Sequence, residues 1–547
     1  MNPHASTNCA GRLFMALAAI ASISFLAACG NSPITPNNQV GFNTGSLNGT
    51  YVISMAGWDV NSDSDEVPFA IVGTITADGK GGITGTIDIN DPDNTGVNLG
   101  VAVTSPSGYQ IGSDGRGEGT LVTSVANFDI DFVLSSTNQG LITRFDDQNG
   151  NIGTGSGTMD MQTSTTQGSL AALSFSLAGY NTSGALGTVG GFTLNTNTGA
   201  IVSGTQDFNN DGTSGPGYVD LLLGGQLALA GTGTTGTATL TTSNTIVSPT
   251  GSLNFDVWVI DSSHLKFISI DTADSGVLLS GDAFTQVNSV APSQEVFTFA
   301  GIDGGAAPVF AGGYVSITDA NCNLSNGVED YNDDGTVGLG KPFSGTGSYN
   351  TSTGRCENLL NGFSNGNSQI FTFATYSSSG GALALEIDSF GLLQGVAYTQ
   401  SATSFTAPGS YALNLSGSNG NGPVDDIAQF NATTAVAPAV NMNGVLDENN
   451  LGDLNSGQLT GVYTPDPAPD GRGSMLVSTP NTALGGLTLQ YYAVDSATAV
   501  FIEVDSSQGA VGVFEGQSAP GGGAAVARPH IAIAHPAVRA HGAFRLK

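Results

Sequence analysis

The chain has 547 residues and a formal net charge of −32, which comes from 44 acidic and 12 basic side chains. Such a surface repels phosphate backbones, so we exclude nucleic acid as a partner, and it disfavours binding flat on anionic lipid. Glycine accounts for 79 residues while charged residues make up only 10%, so the polar surface must come mainly from Ser, Thr, Asn and Gly. The chain is too long for a single hydrophobic core.

The N-terminal segment has the pattern of an export signal. Arg12 precedes an apolar run over 13–25 that is too short for a permanent membrane span, and small residues lead to a cysteine in Leu26-Ala27-Ala28-Cys29. The segment resembles the lipobox of bacterial lipoproteins. This resemblance implies a signal peptide over 1–28, acylation of Cys29 and a lipid anchor in the cell envelope. Gly30 implies the outer membrane of a diderm cell, facing the periplasm or outward. Residues 29–45 are predicted to be a flexible tether.

The body of the chain repeats with a period near 120 residues. An opening strand that ends in glycine and a Gly-x-x-Asp-x-Asn element recur four times each with that period, and every repeat ends on a strand that reaches glutamine. Independent markers with one period indicate tandem repeats. We therefore divide the chain into repeat 1 (46–164), repeat 2 (165–289), repeat 3 (290–403) and repeat 4 (404–518). The tail, 519–547, is rich in Ala, Gly, Pro and His and is predicted to be disordered.

Within each repeat apolar residues alternate with period two, as in Tyr51, Ile53 and Met55, and turn residues recur every eight to twelve positions. These patterns predict an all-β meander. In repeat 1 the predicted strands lie near 50–56, 68–77, 82–90, 106–112, 117–123, 127–134, 139–145 and 154–162. We expect each repeat to be an eight-stranded up-and-down barrel; a two-sheet β-sandwich is the alternative. The four units are expected to form a rod-like array.

A calcium-loop pattern occurs in two repeats. The residues are Asp207, Asn209 and Asp211 in repeat 2 and Asp330, Asn332 and Asp334 in repeat 3. Alternating oxygens followed by glycine are typical of the first half of an EF-hand loop, but the bidentate Glu that should end the loop is missing. The alternative is that these side chains form Asx turns. The fold requires no cofactor in either case, and Ca²⁺ is an optional ligand.

A Gly-Arg pair recurs in three repeats and contains Arg116, Arg355 and Arg472; Thr237 stands near this position in repeat 2. We expect a structural use, with the guanidinium pinning turn carbonyls or a carboxylate. The aspartate of the Asp-x-Asn element is a poor candidate for that carboxylate, because the meander places it at the opposite end of the strands.

Cysteines beyond the anchor number two, Cys322 and Cys356. In an oxidising exported compartment they are expected to form one disulfide. The meander places both at one end of repeat 3, where a bridge requires Cα atoms within about 7 Å.

No catalytic residues are predicted. His264 is the only histidine between the anchor and the tail, and we expect it to be exposed in a hairpin turn. Trp58 and Tyr180 stand at equivalent places after the first strand, where core or turn packing is favoured and stacking on a flat ligand is the alternative.

The sequence therefore indicates a non-enzymatic, lipid-anchored envelope protein with a structural, adhesive or ligand-binding role toward a surface glycan, protein or small molecule. A carboxylate-based glycan hydrolase is one alternative. The other is a lipocalin-like carrier, which requires an apolar cavity inside at least one barrel.

Overall fold

A computed structural model describes residues 40–520, apart from 93, 147–151, 182, 211–217, 244–250, 272–276, 364–369, 380, 435–439, 467–469 and 480–485. The described chain consists of 34 β-strands and two short 3-10 helices, Thr44–Ser46 and Gln167–Ser169. Cys29, Asp211 and nearly all of the predicted tail lie outside the described residues.

The strands form four antiparallel sheets, one in each repeat. Repeat 1 contains β1 (Asn48–Val60), β2 (Glu66–Asp78), β3 (Ile83–Asp91), β4 (Gly96–Val103), β5 (Gly108–Ile111), β6 (Arg116–Val122), β7 (Asn127–Ser136), β8 (Gln139–Phe145) and β9 (Gly153–Met161). Repeat 2 contains β10 (Ala172–Asn181), β11 (Gly184–Leu194), β12 (Ile201–Asn210), β13 (Leu221–Leu222), β14 (Gly224–Leu229), β15 (Thr235–Thr241), β16 (Ser252–Asp261), β17 (His264–Ser269) and β18 (Leu278–Thr285).

Repeat 3 contains β19 (Ser293–Asp303), β20 (Pro308–Ile317), β21 (Leu324–Asp333), β22 (Thr336–Asn350), β23 (Arg355–Asn361), β24 (Phe371–Ser378), β25 (Gly381–Glu386) and β26 (Gly391–Thr399). Repeat 4 contains β27 (Gly409–Asn419), β28 (Gly422–Thr434), β29 (Val440–Asn450), β30 (Asp453–Pro465), β31 (Arg472–Ser478), β32 (Leu487–Ala493), β33 (Thr498–Val504) and β34 (Gln508–Gly516).

The predicted all-β meander is confirmed. Neighbours in sequence pair throughout each sheet, except at one seam each in repeats 1 and 2, and the first strand of every repeat also pairs with its last, as Tyr51 does with Met161. Repeats 3 and 4 are closed eight-stranded barrels, whereas repeats 1 and 2 have nine strands and stay open between the fourth and fifth. In repeat 1 Pro106 interrupts the chain between β4 and β5, because proline has no N–H to give to a ladder. The continuous β22 and β30 close the other two barrels.

The four repeats form a closed ring, so the expected rod is wrong. The first two strands of each repeat contact the last strands of the next: β1 and β2 pack on β16–β18, β10 and β11 on β24 and β25, and β19 and β20 on β32–β34. Repeat 4 continues the pattern by packing β27 and β28 on β7–β9 of repeat 1. Head-to-tail contacts, in which one surface of each unit meets a different surface of the next, close into a ring when the rotation per unit permits it.

Apolar residues fill the middle of the ring. Trp58 and Tyr180 are 1% and 5% exposed, and their rings meet edge to face with centroids 5.1 Å apart. Ile302, the equivalent residue of repeat 3, belongs to the same buried cluster. The first strands of three repeats are therefore packed together on their outer faces, and stacking of Trp58 or Tyr180 on a ligand at a barrel mouth is contradicted by this burial.

Candidate functional site

The recurring arginines join one repeat to the next. Arg355 of repeat 3 donates two hydrogen bonds of 2.8 Å from Nε and Nη2 to the carboxylate of Asp207 in repeat 2, and Tyr376 Oη donates a third at 2.7 Å. Arg472 of repeat 4 holds Asp330 of repeat 3 through two bonds of 2.7 Å. Both aspartates are fully buried. These charge-assisted, bidentate pairs fix the relative orientation of the repeats.

The aspartate judged a poor partner for arginine is thus the partner, and that prediction is wrong. Within one repeat the aspartate and the arginine do lie at opposite ends of the strands. The pairing crosses to the next repeat instead. The head-to-tail contact between consecutive repeats places the aspartate end of one repeat against the arginine end of the next.

We call each contact between neighbouring repeats a joint. The other two joints contain variants of the arginine–aspartate contact. Between repeats 4 and 1, Arg116 Nη1 lies 3.4 Å from the Asp447 carboxylate. Between repeats 1 and 2 no arginine is present: Thr235 occupies the equivalent register opposite Trp258, whose indole N–H donates to Asp88 at 3.0 Å. Burial, and then the neighbouring Asp88, raise the pKa of Asp256 to about 6 at this joint. The joint therefore holds two carboxyl groups without an arginine.

The asparagine of the Gly-x-x-Asp-x-Asn element binds the last hairpin of the next repeat. Asn209 Nδ2 donates to the carbonyls of Glu386 and Gly391 at 2.9 and 2.7 Å. Asn449 Nδ2 donates to the carbonyls of Arg144 and Gly153, both at 2.8 Å. Asn90 and Asn332 make the corresponding contacts from repeats 1 and 3.

The terminal glutamines complete each joint. Gln400 Nε2 donates to the carbonyls of Asp470 and Ala493 in repeat 4, and Gln162 and Gln286 reach the equivalent turns of repeats 2 and 3. Gln517, near the end of the described chain, donates to the carbonyls of Asp114 and Leu134 at 2.7 and 2.9 Å. The last strand of repeat 4 is thereby fastened to repeat 1.

The proposed calcium ligands are distributed over these contacts. Asp207 and Asp330 are held by arginines, and Asn209 and Asn332 bind carbonyls of the following repeat. Among the described residues no group of three or more His, Cys, Asp and Glu is placed to hold a metal. Asp211 lies outside the described residues, and Asp334 occupies a turn with φ 45°. Calcium binding stays a prediction.

His264 is buried, so the expected exposed position is wrong. It is 3% exposed, stacks on Phe284 with centroids 4.3 Å apart and lies 2.6 Å from Asp282. Lys266 Nζ lies 2.6 Å from the same carboxylate. Burial alone would raise the pKa of Asp282, but the two basic neighbours outweigh it and lower the pKa. The group is closed off in the contact between repeats 1 and 2, where β17 and β18 pack on β2.

A cavity of about 400 Å³ opens at one end of the repeat 3 barrel. Its walls are mainly apolar and include Phe297, Phe299, Phe343, Phe363 and Phe373. The volume lies in the range of small-molecule sites. Cys322 and Cys356, which are bridged with Cα atoms 6.5 Å apart, border the cavity.

The cavity exists because two inward-facing side chains are small. Thr375 and Ala384 pair across β24 and β25 and line the cavity. The same register holds Phe132 with Ile142 in repeat 1, Val257 with Phe267 in repeat 2, and Tyr491 with Phe501 in repeat 4. Larger side chains fill this space in the other three barrels.

The mouth of repeat 3 is also left open. In the other repeats a large residue from the segment before the first strand packs into the core: Leu47, Leu170 and Phe405 are 1%, 1% and 4% exposed. The corresponding segment of repeat 3 carries Val290 and Ala291, which are half-buried and exposed. In three repeats a large residue therefore packs over the core, whereas in repeat 3 the same segment places only the smaller side chains of Val290 and Ala291 beside the cavity.

One carboxyl group borders this cavity. Glu295 is the first residue of β19 to pair with β26, where the other repeats carry Tyr51, Leu173 and Tyr411. It is 6% exposed, and its Oε1 accepts hydrogen bonds from the hydroxyls of Ser293 at 2.7 Å and Thr399 at 3.1 Å. Burial raises the pKa of Glu295 to about 7 against the opposing effect of these two hydroxyls.

The sequence analysis allowed for a cavity in one barrel but did not place it in repeat 3, although a signal was present. When the four repeats are aligned on the aspartate that follows the penultimate strand of each, Ala384 falls in one column with Ile142, Phe267 and Phe501. A single small residue in an otherwise bulky inward column marks a barrel whose interior is not filled.

No protein-family model and no curated protein matches the sequence. Among solved structures the chain is similar to transferrin binding protein B. A double mutant of the vaccine antigen from Haemophilus parasuis Hp5 shares 10% identity at a TM-score of 0.18, over 70% of this chain and 83% of that chain. The isotype 1 protein from serogroup B Neisseria meningitidis shares 12% at 0.21, over 70% and 84%. Intact Ap-TbpB with N and C lobes shares 10% at 0.20, over 90% and 98%. At these scores no property is transferred.

Within the described ranges no helix has the length and apolar character of a membrane span.

Proposed function

We propose that this chain is an exported, lipid-anchored binding protein of the cell envelope whose repeat 3 barrel holds a small apolar molecule. The observation that carries the proposal is the phenylalanine-lined cavity of about 400 Å³ in that barrel. Burial of a ligand's apolar surface there contributes about 25 cal/mol per Å². Of the roles the sequence leaves open, a carrier or ligand-binding protein is the one that requires such a cavity.

Specialisation of one repeat supports this role. Repeat 3 alone combines the small pair Thr375 and Ala384 with the uncapped mouth and the carboxyl group of Glu295. The other three repeats then serve as a frame that holds repeat 3 through the joints on both of its sides. We further propose that Cys29 carries the lipid anchor, in the outer membrane of a diderm cell, and that the protein is not an enzyme.

Binding of a neutral apolar fluorophore, N-phenyl-1-naphthylamine, to the full chain tests the proposal. We expect saturable binding at one site that Ala384→Phe abolishes, because phenylalanine at this position copies repeat 4 and fills the cavity. Leu359→Phe places the same aromatic side chain at an exposed position of the same barrel and should leave binding unchanged. Equal binding by wild type and Ala384→Phe would refute a site inside repeat 3.

A further inference from the structure

We propose that Glu295 makes the repeat 3 barrel selective for ligands that carry a protonated amine at one end of an apolar body. This inference rests on the proposed function, because it assigns the ligand class of the same cavity. Glu295 is the only ionisable side chain among the described residues that line the cavity, since Cys322 and Cys356 are bridged.

The carboxyl group has an unused hydrogen-bonding atom. Its Oε1 accepts from Ser293 and Thr399, whereas its buried Oε2 has no hydrogen-bond partner among the described residues. Both hydroxyls orient the carboxyl group and favour its ionised form. A buried acceptor without a donor costs free energy until a ligand supplies one. Glu295 shares the inward face of β19 with Phe297 and Phe299, so a donor on an apolar ligand would reach it from the cavity.

Electrostatics favours a cation as that donor. Burial opposes ionisation of Glu295, and none of the basic side chains in the described part of the chain contributes to its pKa. A ligand ammonium would supply the missing positive charge and a charge-assisted hydrogen bond. The net charge of −32 attracts cations to the protein and repels carboxylates. An alcohol would satisfy Oε2 without the ionic contribution.

The other repeats show what the same place looks like without this function. Tyr51 and Tyr411 stand at the equivalent register and use their hydroxyls to bind the carbonyls of Thr137 and Thr406 in their own repeats. Leu173 in repeat 2 has no polar atom to pair. Repeat 3 alone places an acid at this register, beside the cavity.

A matched ligand series separates the head group from the apolar body. Isothermal titration of the full chain with 4-phenylbutylamine, 4-phenylbutanol and 4-phenylbutanoate near pH 8 should give an affinity for the amine at least about tenfold above that for the alcohol, with the carboxylate weakest. Glu295→Gln should lower amine affinity to that of the alcohol and leave the alcohol within about twofold. Glu295→Tyr, which copies repeats 1 and 4, is a second variant that removes the acid.

The pH profile gives an independent readout. Amine binding requires ionised Glu295, so affinity should rise between about pH 6 and 8 in wild type and stay flat in Glu295→Gln. Equal affinities for the three ligands, or an unchanged amine affinity in both variants, would overturn the head-group assignment while leaving the cavity site intact. Failure of all three ligands and of N-phenyl-1-naphthylamine to bind wild type would overturn the proposed function itself.

Discussion

Removing the arginine at the joint between repeats 2 and 3 should destabilise the ring strongly. In Arg355→Met the carboxylate of Asp207 loses both 2.8 Å hydrogen bonds and, among the described residues, keeps those from Tyr376 and the Asp220 backbone. Asp207 is fully buried and Arg355 is 6% exposed. Breaking one side of such a buried pair costs about 3–5 kcal/mol, because the remaining charge is left without compensation.

The double variant Asp207→Asn, Arg355→Met tests whether the cost comes from the orphaned charge. It removes both charges, so it should be more stable than Arg355→Met alone by about 2 kcal/mol. Urea unfolding of the full chain, monitored by tryptophan fluorescence and circular dichroism, measures the free energy of unfolding of each variant. Lys80→Met removes one positive charge from an exposed turn and should cost less than about 0.5 kcal/mol. A cost below about 1 kcal/mol for Arg355→Met, or strict additivity in the double variant, would refute this account of the joint.

Three further outcomes follow from the structure. Burial, and then the neighbouring Asp88, raise the pKa of Asp256 to about 6. Its contribution to stability is therefore present below its unfolded pKa near 4 and is lost as pH rises through about 6. Thermal melts of wild type should show this loss, and those of Asp256→Asn should show less of it. Phe501→Ala should leave an internal cavity in repeat 4 at the position that Ala384 occupies in repeat 3, costing about 3–5 kcal/mol of unfolding free energy in urea. A cost below about 1 kcal/mol would contradict the packing argument. Since Arg355 already binds the carboxylate of Asp207, calorimetric melting temperatures in EDTA and in millimolar calcium should agree. A clear rise in melting temperature with calcium would favour calcium binding by the Asp-x-Asn loop.

The joints explain why the markers recur along the chain. In a closed ring each repeat presents one surface to the repeat before it and another to the repeat after it. Four joints therefore need four copies of the asparagine contact and the glutamine contact, and Asn449 and Gln517 are used as fully as Asn209 and Gln400. The arginine is dispensable only where Trp258 supplies another donor to the aspartate.

Glycine in the second strand lets neighbouring barrels approach closely. A Cβ on Gly312 of β20 would lie 2.7 Å from Ile502 and 3.0 Å from Tyr492 in repeat 4. A side chain at this position would push the two sheets apart, since real Cβ contacts are longer. Tyr492 is the residue whose hydroxyl donates to Asp330 at the same joint, so the close approach and the arginine clamp act together.

Local chemistry along the chain determined the strands, the meander order and the number of repeats. Period-two alternation and regularly spaced turns depend on neighbouring residues alone, and the pattern Tyr51, Ile53 and Met55 forms the inner face of β1 as it predicts. The fourth strand of repeat 1 was missed, since Pro106 splits in two a strand that is continuous in repeats 3 and 4.

Tertiary structure decided everything that depends on which surfaces meet. Arg355 and Asp207 are 148 positions apart, and no local pattern indicates that barrels return to close a ring in place of extending as a rod. His264 is buried because another repeat covers its strand, although its neighbours in sequence are turn residues. The cavity likewise depends on a pair, Thr375 and Ala384, that only strand register brings together, because space inside a barrel is set by side chains on several strands at once.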